Sequence, residues 1–226
     1  MRTLALVLLL AAPAVFADID VAFAPHPGTI VPGDAAFREG RLGDYYGGAP
    51  VVLVLGYLGC VNLCGTTLSG VAEALHETGL TPERDYRALF MSVDPRDENA
   101  RPEHRQGWHF LTGAAAASRV AAAVGFRYYY ENDTGQFAHP AGFVVLTPQG
   151  RLARYFEGVR FDARELRQAL TGAARGETQS AWQRLVLVCF HDPLAGRNTP
   201  AVMMAVRITM ALLLAGAAVF AWRHWR

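Results

Sequence analysis

This chain of 226 residues has few charged residues and few cysteines, and neither sign of charge is in excess. Lys and Arg number 21 against 20 Asp and Glu, so the formal net charge is +1. A balance this close to zero supplies no strong positive field for a nucleic-acid backbone, and we expect no nucleic-acid partner. The 3 cysteines are too few for a disulfide-rich scaffold. Apolar residues make up 52% of the chain, which is enough for a folded core and leaves a surplus at both ends.

The apolar N-terminus has the layout of a secretory signal peptide. Arg2 precedes a short apolar run, and Val15-Phe16-Ala17 forms a cleavage pattern just before Asp18. We predict a signal peptide over residues 1–17 and an extended segment over 18–35. An uncleaved membrane anchor is the alternative, although the apolar run is short for a bilayer core of roughly 30 Å.

The apolar C-terminus contains a longer run, ITMALLLAGAAVFAW at 208–222, that carries no charge. Together with residues 200–206 it reaches the length of a membrane span, with Arg207 near one edge. We predict a juxtamembrane segment over 180–199, a transmembrane helix over 200–222 and a basic cytoplasmic tail over 223–226. A buried core helix is the alternative. The predicted location is the inner membrane, with the folded domain on the periplasmic side.

Strands and helices alternate through the middle of the chain. Val51 to Leu55 is a continuous aliphatic run, typical of a strand buried on both faces. The same criteria predict further strands over 86–93, 126–130, 142–147 and 151–156, and helices over 66–78, over 114–124 and from an N-cap at Asp162. This alternation, with a closing hairpin, predicts an α/β sandwich around one mixed sheet.

Two cysteines, Cys60 and Cys64, follow the first buried strand. Functional groups of α/β sheets collect at the carboxyl ends of strands, and a helix N-terminus there lowers the pKa of a thiol. The spacing of four residues places both sulfurs on one helix face, where they can reach one metal ion. The same spacing can close a disulfide or leave two structural thiols, and both remain alternatives.

His139, in the loop before the strand at 142–147, is the candidate for a third ligand. Two thiolates and one imidazole form a soft donor set of low coordination number, which suits copper as Cu(I) or Cu(II). Zinc prefers four ligands, and no obvious fourth is present. A structural or surface histidine is the alternative reading of His139.

Three other residues are weaker candidates. Asp94 follows the second buried strand and could tune the metal site by accepting a hydrogen bond near its ligands. Alternatively, it could cap the strand end together with Pro95. Cys189 and His191, just before the membrane segment, could form a second soft site, with a buried apolar cysteine as the alternative.

Several motifs together resemble the Sco/SenC family of exported copper-binding proteins. The resemblance covers roughly residues 35–197 and includes FREGRLGDYYGGAPVVLVLGY, the C-x-x-x-C loop, FMSVDPRDE, GWHFLTG, VGFRYYY and FAHPAGFVVLTPQGRLARYFEGV. The later stretch LVLVCFHDPLAGR at 185–197, followed by a membrane helix, resembles a bacterial branch of this family. The resemblance implies a thioredoxin-like three-layer domain, which we place at residues 36–179.

The resemblance also implies a function. It implies that Cys60, Cys64 and His139 bind one copper ion, and that the chain delivers copper to the copper A centre of cytochrome c oxidase subunit II or of a related oxidase. Such a metallochaperone is not strictly an enzyme. The alternative is a thiol–disulfide oxidoreductase in which Cys60 and Cys64 reduce the cysteines of that centre. Either role also requires a periplasmic copper donor or a thiol reductant.

Overall fold

The computed structural model of the chain describes residue 23 and residues 26–60, 64–100, 107–179 and 199–224. Short 3₁₀ turns lie at Leu42–Tyr45 and Pro95–Asp97. The strands are β1 (Ala36–Phe37), β2 (Gly40–Arg41), β3 (Val51–Gly56), β4 (Arg87–Ser92), β5 (Trp108–Leu111), β6 (Tyr129–Glu131), β7 (Gln136–Ala138), β8 (Gly142–Leu146) and β9 (Leu152–Glu157). The helices are α1 (Cys64–Glu77), α2 (Ala114–Ala123), α3 (Ala163–Ala174) and α4 (Thr199–His224).

Five strands form one mixed sheet in the order β5-β4-β3-β8-β9. Strands β3, β4 and β5 are parallel to one another, whereas β8 runs antiparallel to both β3 and β9. Strand β3 therefore occupies the centre of the sheet, where both of its edges are paired. This arrangement confirms the predicted mixed sheet.

Two apolar cores cover the two faces of this sheet. Val52 and Val54 of β3 pack with residues of α1 and α3, whereas Val51, Leu53 and Leu55 pack with residues of α2 and of the N-terminal segment. Successive side chains of a strand point to opposite faces, so a strand covered on both sides must be apolar at every position. The result is a three-layer α/β/α sandwich, as predicted.

Two predicted elements begin at other residues in the structure, and strands β5 and β7 are not predicted. Helix α1 begins at Cys64 rather than at residue 66. The aromatic strand begins at Tyr129 rather than at Phe126, because Phe126 is buried against the ring of Phe23 before the β6–β7 hairpin begins. The sequence criteria do not predict β5, because WHFL at Trp108–Leu111 is an edge strand that is buried fully at only one of its four positions. They do not predict β7 either, because it has only three residues and none of them is fully buried.

The predicted C-terminal helix over 200–222 is present as α4, Thr199–His224. Among the residues that the structure describes, no helix is long and apolar enough to cross a membrane, so the transmembrane assignment is not confirmed. The predicted signal peptide over 1–17, the segment 180–198 and the last two residues of the tail lie outside the described residues. The segment 180–198 includes both Cys189 and His191.

Candidate metal centre

The sheet topology brings the cysteine loop next to the histidine loop. Strand β3 ends at Gly56, four residues before Cys60, and Cys64 is the first residue of α1. His139 lies three residues before β8, which is the antiparallel neighbour of β3. Because antiparallel neighbours run in opposite directions, the end of β3 lies beside the start of β8. Residues about 75 positions apart along the chain, Cys64 and His139, therefore meet at one edge of the sheet.

The three predicted ligands form one compact group. The sulfurs of Cys60 and Cys64 and a ring nitrogen of His139 all lie within 4.8 Å of one another. Cys64 Sγ lies 2.9 Å from His139 Nε2, and Cys60 Sγ accepts a hydrogen bond of 3.4 Å from the backbone N–H of Cys64. Cys60 and Cys64 are not joined by a disulfide. In the described part of the chain, no other group of three His, Cys, Asp or Glu side chains has metal-binding spacing.

The Cys64 sulfur points into the protein. The residue is only 8% exposed, and burial raises the pKa of its thiol to about 12, with the neighbouring Cys60 as a smaller contribution. The expectation that the start of the helix lowers this pKa is therefore wrong for Cys64. Burial disfavours the charged thiolate and outweighs the backbone N–H groups. A Cβ on Gly56 would lie 3.3 Å from the ring of Phe90 and 3.4 Å from Cys64 Sγ, so the sulfur packs directly against this part of β3.

Two aromatic rings pack against the imidazole of His139. The ring lies 5.7 Å from that of Tyr57 and 5.6 Å from that of Phe126. Its Nδ1 is 3.0 Å from the carbonyl oxygen of Pro140, to which an Nδ1–H group can donate. That tautomer leaves the lone pair of Nε2 facing the sulfur of Cys64. Burial lowers the pKa of His139 and favours the neutral imidazole that a metal ion requires.

The donor set fits a thiophilic metal ion. Two sulfurs and one imidazole nitrogen match the preference of copper for soft ligands, and a structural zinc site would require a fourth protein donor. Cys64 is buried, whereas Cys60 is partly exposed at the edge of the group. An ion held here would be shielded on one side and accessible to a docked protein on the other.

Asp94 lies near this edge of the sheet but is not a member of the donor group. Its carboxylate caps the following turn by accepting a hydrogen bond from the backbone N–H of Arg96, and it pairs with the Arg96 guanidinium at 2.6 Å. That guanidinium lies over the rings of Tyr130 and Phe137. Asp94 thus fixes Arg96 against the β6–β7 hairpin, and His139 directly follows the end of that hairpin.

Asp97 supports the cysteine loop, a role that was not predicted from the sequence. One oxygen of its buried carboxylate accepts hydrogen bonds from the backbone N–H of Leu58, at 2.7 Å, and from the hydroxyl of Ser92, at 2.6 Å. Leu58 lies two residues before Cys60, so Asp97 joins the loop to the end of β4. The second acidic residue of the VDPRDE motif was the available signal.

The comparisons with known proteins agree with this architecture. Residues 41–175 match the family model described as SCO1/SenC. A candidate electron transfer protein from Aquifex aeolicus VF5 is similar, with 24% identity over 67% of this chain and 96% of that one and a TM-score of 0.56. Arabidopsis thaliana ScoI, solved with copper bound, has 19% identity over 59% of this chain and 88% of that one, with a TM-score of 0.50. No curated protein matches the chain. The family match covers more than half of the chain, and the chain therefore belongs to the SCO1/SenC family.

Proposed function

We propose that this chain is a copper metallochaperone that supplies the copper A centre of cytochrome c oxidase subunit II during oxidase assembly. The observation that carries the proposal is the convergence of Cys60, Cys64 and His139 within 4.8 Å. The copper-bound state of the similar Arabidopsis ScoI supports copper as the ion. The family to which the chain belongs supports the oxidase as the destination.

The chain's own residues would release copper by exchange of ligands. Cys64 is the one buried ligand and would stay on the ion longest, whereas the partly exposed Cys60 is a ligand that an acceptor could replace first. With three ligands the ion has room for an incoming thiolate or imidazole before one of its own ligands leaves. Each thiol gives its proton to solvent when it binds the ion and takes one back when it releases the ion. No disulfide or other bond between heavy atoms of the protein forms or breaks in this transfer.

The role of His139 tests the proposal. His139→Ala should abolish tight copper binding by the purified protein while leaving the reactivity of both thiols toward a disulfide nearly unchanged. The measurement is copper stoichiometry after dialysis, together with a thiol titration. Fully reduced wild-type protein that takes up no copper would contradict the chaperone function.

A thiol–disulfide reductase is the second candidate, and the unequal exposure of the two cysteines favours it. The thiolate of Cys60 would attack an acceptor disulfide, forming a mixed disulfide and releasing one acceptor thiolate. Cys64 would then attack Cys60, closing the Cys60–Cys64 disulfide and releasing the second acceptor thiol. An external thiol reductant must restore the pair. This mechanism gives no role to His139, whose Nε2 lies 2.9 Å from the sulfur of Cys64, and for this reason we favour the chaperone.

The two candidates predict different results for the same assay. In cells that depend on this chain, the chaperone requires His139 for assembly of the copper A centre, whereas the reductase requires only the cysteines. Oxidase activity with His139→Ala therefore separates them. Oxidase activity that is unchanged by Cys60→Ser would contradict both.

We further propose that the domain is exported and attached to the inner membrane, on the periplasmic side. The signal-peptide pattern at 1–17 supports export. Large apolar side chains that are half exposed or more support membrane attachment through α4: Met204, Ile208, Met210, Leu212, Leu213, Leu214 and Trp222. Cell fractionation with external protease tests this location. The domain should stay with the membrane fraction and be digested in spheroplasts. Recovery from the cytosol would contradict the proposal.

A further inference from the structure

The hydroxyl of Thr67 is a buried polar group without a partner. Thr67 is 4% exposed, and in the described part of the chain its Oγ1 is the one buried side-chain nitrogen or oxygen that makes no hydrogen bond. Other buried threonines are satisfied: Thr78 donates to the carbonyl of Leu75, and Thr112 donates to Glu39. A buried hydroxyl without a partner is destabilising. Valine has the same shape without this cost, so the hydroxyl at this position calls for an explanation.

The position of Thr67 connects its hydroxyl to the candidate metal centre. Thr67 lies three residues after Cys64 on α1, and residues at this spacing share one face of a helix. Both residues line the same small cavity, together with His139. The other lining residues include Val54 and Phe90, which offer no side-chain acceptor. The cavity is too small to hold a water molecule that could satisfy the hydroxyl.

Copper binding changes which acceptors are present in this cavity. In the metal-free protein, the sulfur of Cys64 lies against Nε2 of His139. When Cys64 and His139 both bind an ion, Nε2 faces the metal and the sulfur carries negative charge. That sulfur is then a strong acceptor in a cavity lined mainly by apolar side chains, and a hydroxyl donor from the same cavity wall is favourable.

We propose that Thr67 is a positioning residue whose hydroxyl donates a hydrogen bond to the Cys64 sulfur in the copper-bound state. This inference rests on the proposed function, because it requires Cys64 to be a copper ligand. The proton stays on Thr67 Oγ1, while the proton of Cys64 leaves to solvent as copper binds. The hydroxyl that has no partner in the metal-free protein thereby gains an acceptor in the loaded state.

The test compares Thr67→Val with Thr66→Val in the full chain. Thr66 is the neighbouring residue on the same helix and is exposed, so it is a matched control. Thr67→Val should weaken Cu(I) binding about tenfold, as is typical for loss of a hydrogen bond to a metal ligand. It should also shift the sulfur-to-Cu(II) charge-transfer band to lower energy, because a hydrogen bond lowers the energy of the sulfur electrons. Thr66→Val should change neither the copper affinity nor the energy of this band. Thr67→Ser, which keeps the hydroxyl, should behave like the wild type in both measurements.

The stability of the metal-free protein gives an independent readout. Thr67→Val should unfold at the same temperature as wild type or at a higher one, because it removes an unsatisfied polar atom. A lower unfolding temperature would mean that the hydroxyl supports the metal-free fold, and would overturn the inference. Wild-type copper affinity and an unshifted band in Thr67→Val would also overturn it, leaving the proposed function intact. Failure of the wild-type protein itself to bind copper would overturn both.

Discussion

Copper uptake should depend steeply on pH, because the buried thiol of Cys64 must lose a proton to become a ligand. The pKa of this thiol is about 12, so at pH 7 the group lies about five pH units below its pKa. One pH unit corresponds to about 1.4 kcal/mol, so removing the proton at pH 7 costs on the order of 7 kcal/mol of copper-binding free energy. The apparent affinity should therefore rise about tenfold per pH unit between pH 7 and pH 9.5 from Cys64 alone.

Competition with a Cu(I) chelator of known pH dependence measures this slope. A proton released by Cys60 would add to the slope, so the contribution of Cys64 is the difference between wild type and Cys64→Ser. That difference should be close to one proton per copper ion. A slope that is the same in wild type and in Cys64→Ser would refute the reasoning, because it would mean that Cys64 is not a buried thiol that ionises on binding.

Three buried or partly buried side chains supply the remaining predictions. Burial lowers the pKa of His139 below its unfolded value of about 6.5, so the unfolded state binds the extra proton first and stability should fall as the pH drops below about 6.5. His139→Gln should remove this part of the pH dependence in urea denaturation, and an unchanged profile would contradict the burial argument. Asp97→Ala should reduce the free energy of unfolding by about 1–3 kcal/mol and weaken copper binding, because it leaves the N–H of Leu58 unpaired. A copper affinity equal to that of wild type would show that this bond does not position the loop. Phe143→Ala should cost about 3–5 kcal/mol of unfolding free energy, because this fully buried ring stacks on Phe156. A loss below about 1 kcal/mol in chemical denaturation would contradict the packing of that core.

The central layers of the fold could be predicted from the sequence because their signals are local. The run at Val51–Leu55 must be covered on both faces, and it is the central strand. Asp162 caps α3 by accepting hydrogen bonds from the backbone N–H groups of Arg164 and Glu165, as its position before a helical period predicts. Strand β5 lacked such a signal, because an edge strand with partly exposed residues can be polar.

The candidate site was predictable in its membership but not in its electrostatics. The sulfur and imidazole donors are recognisable as residue types, and the resemblance to the family pointed to His139. The direction of the Cys64 side chain depends on the packing of α1 against the sheet. Because the side chain points into the protein, burial raises the pKa of its thiol by more than the helix N-terminus lowers it. The support from Asp97 depends on a contact between two loops that are 39 residues apart.

Copper K-edge X-ray absorption on the purified, fully reduced chain identifies the atoms that bind the ion. We expect one copper ion per chain with two sulfur neighbours and one imidazole nitrogen, and we expect His139→Ala to lose the nitrogen signal. A reduced protein that binds no copper would show that Cys60, Cys64 and His139 do not form a copper site, as would bound copper whose ligands are unchanged in His139→Ala.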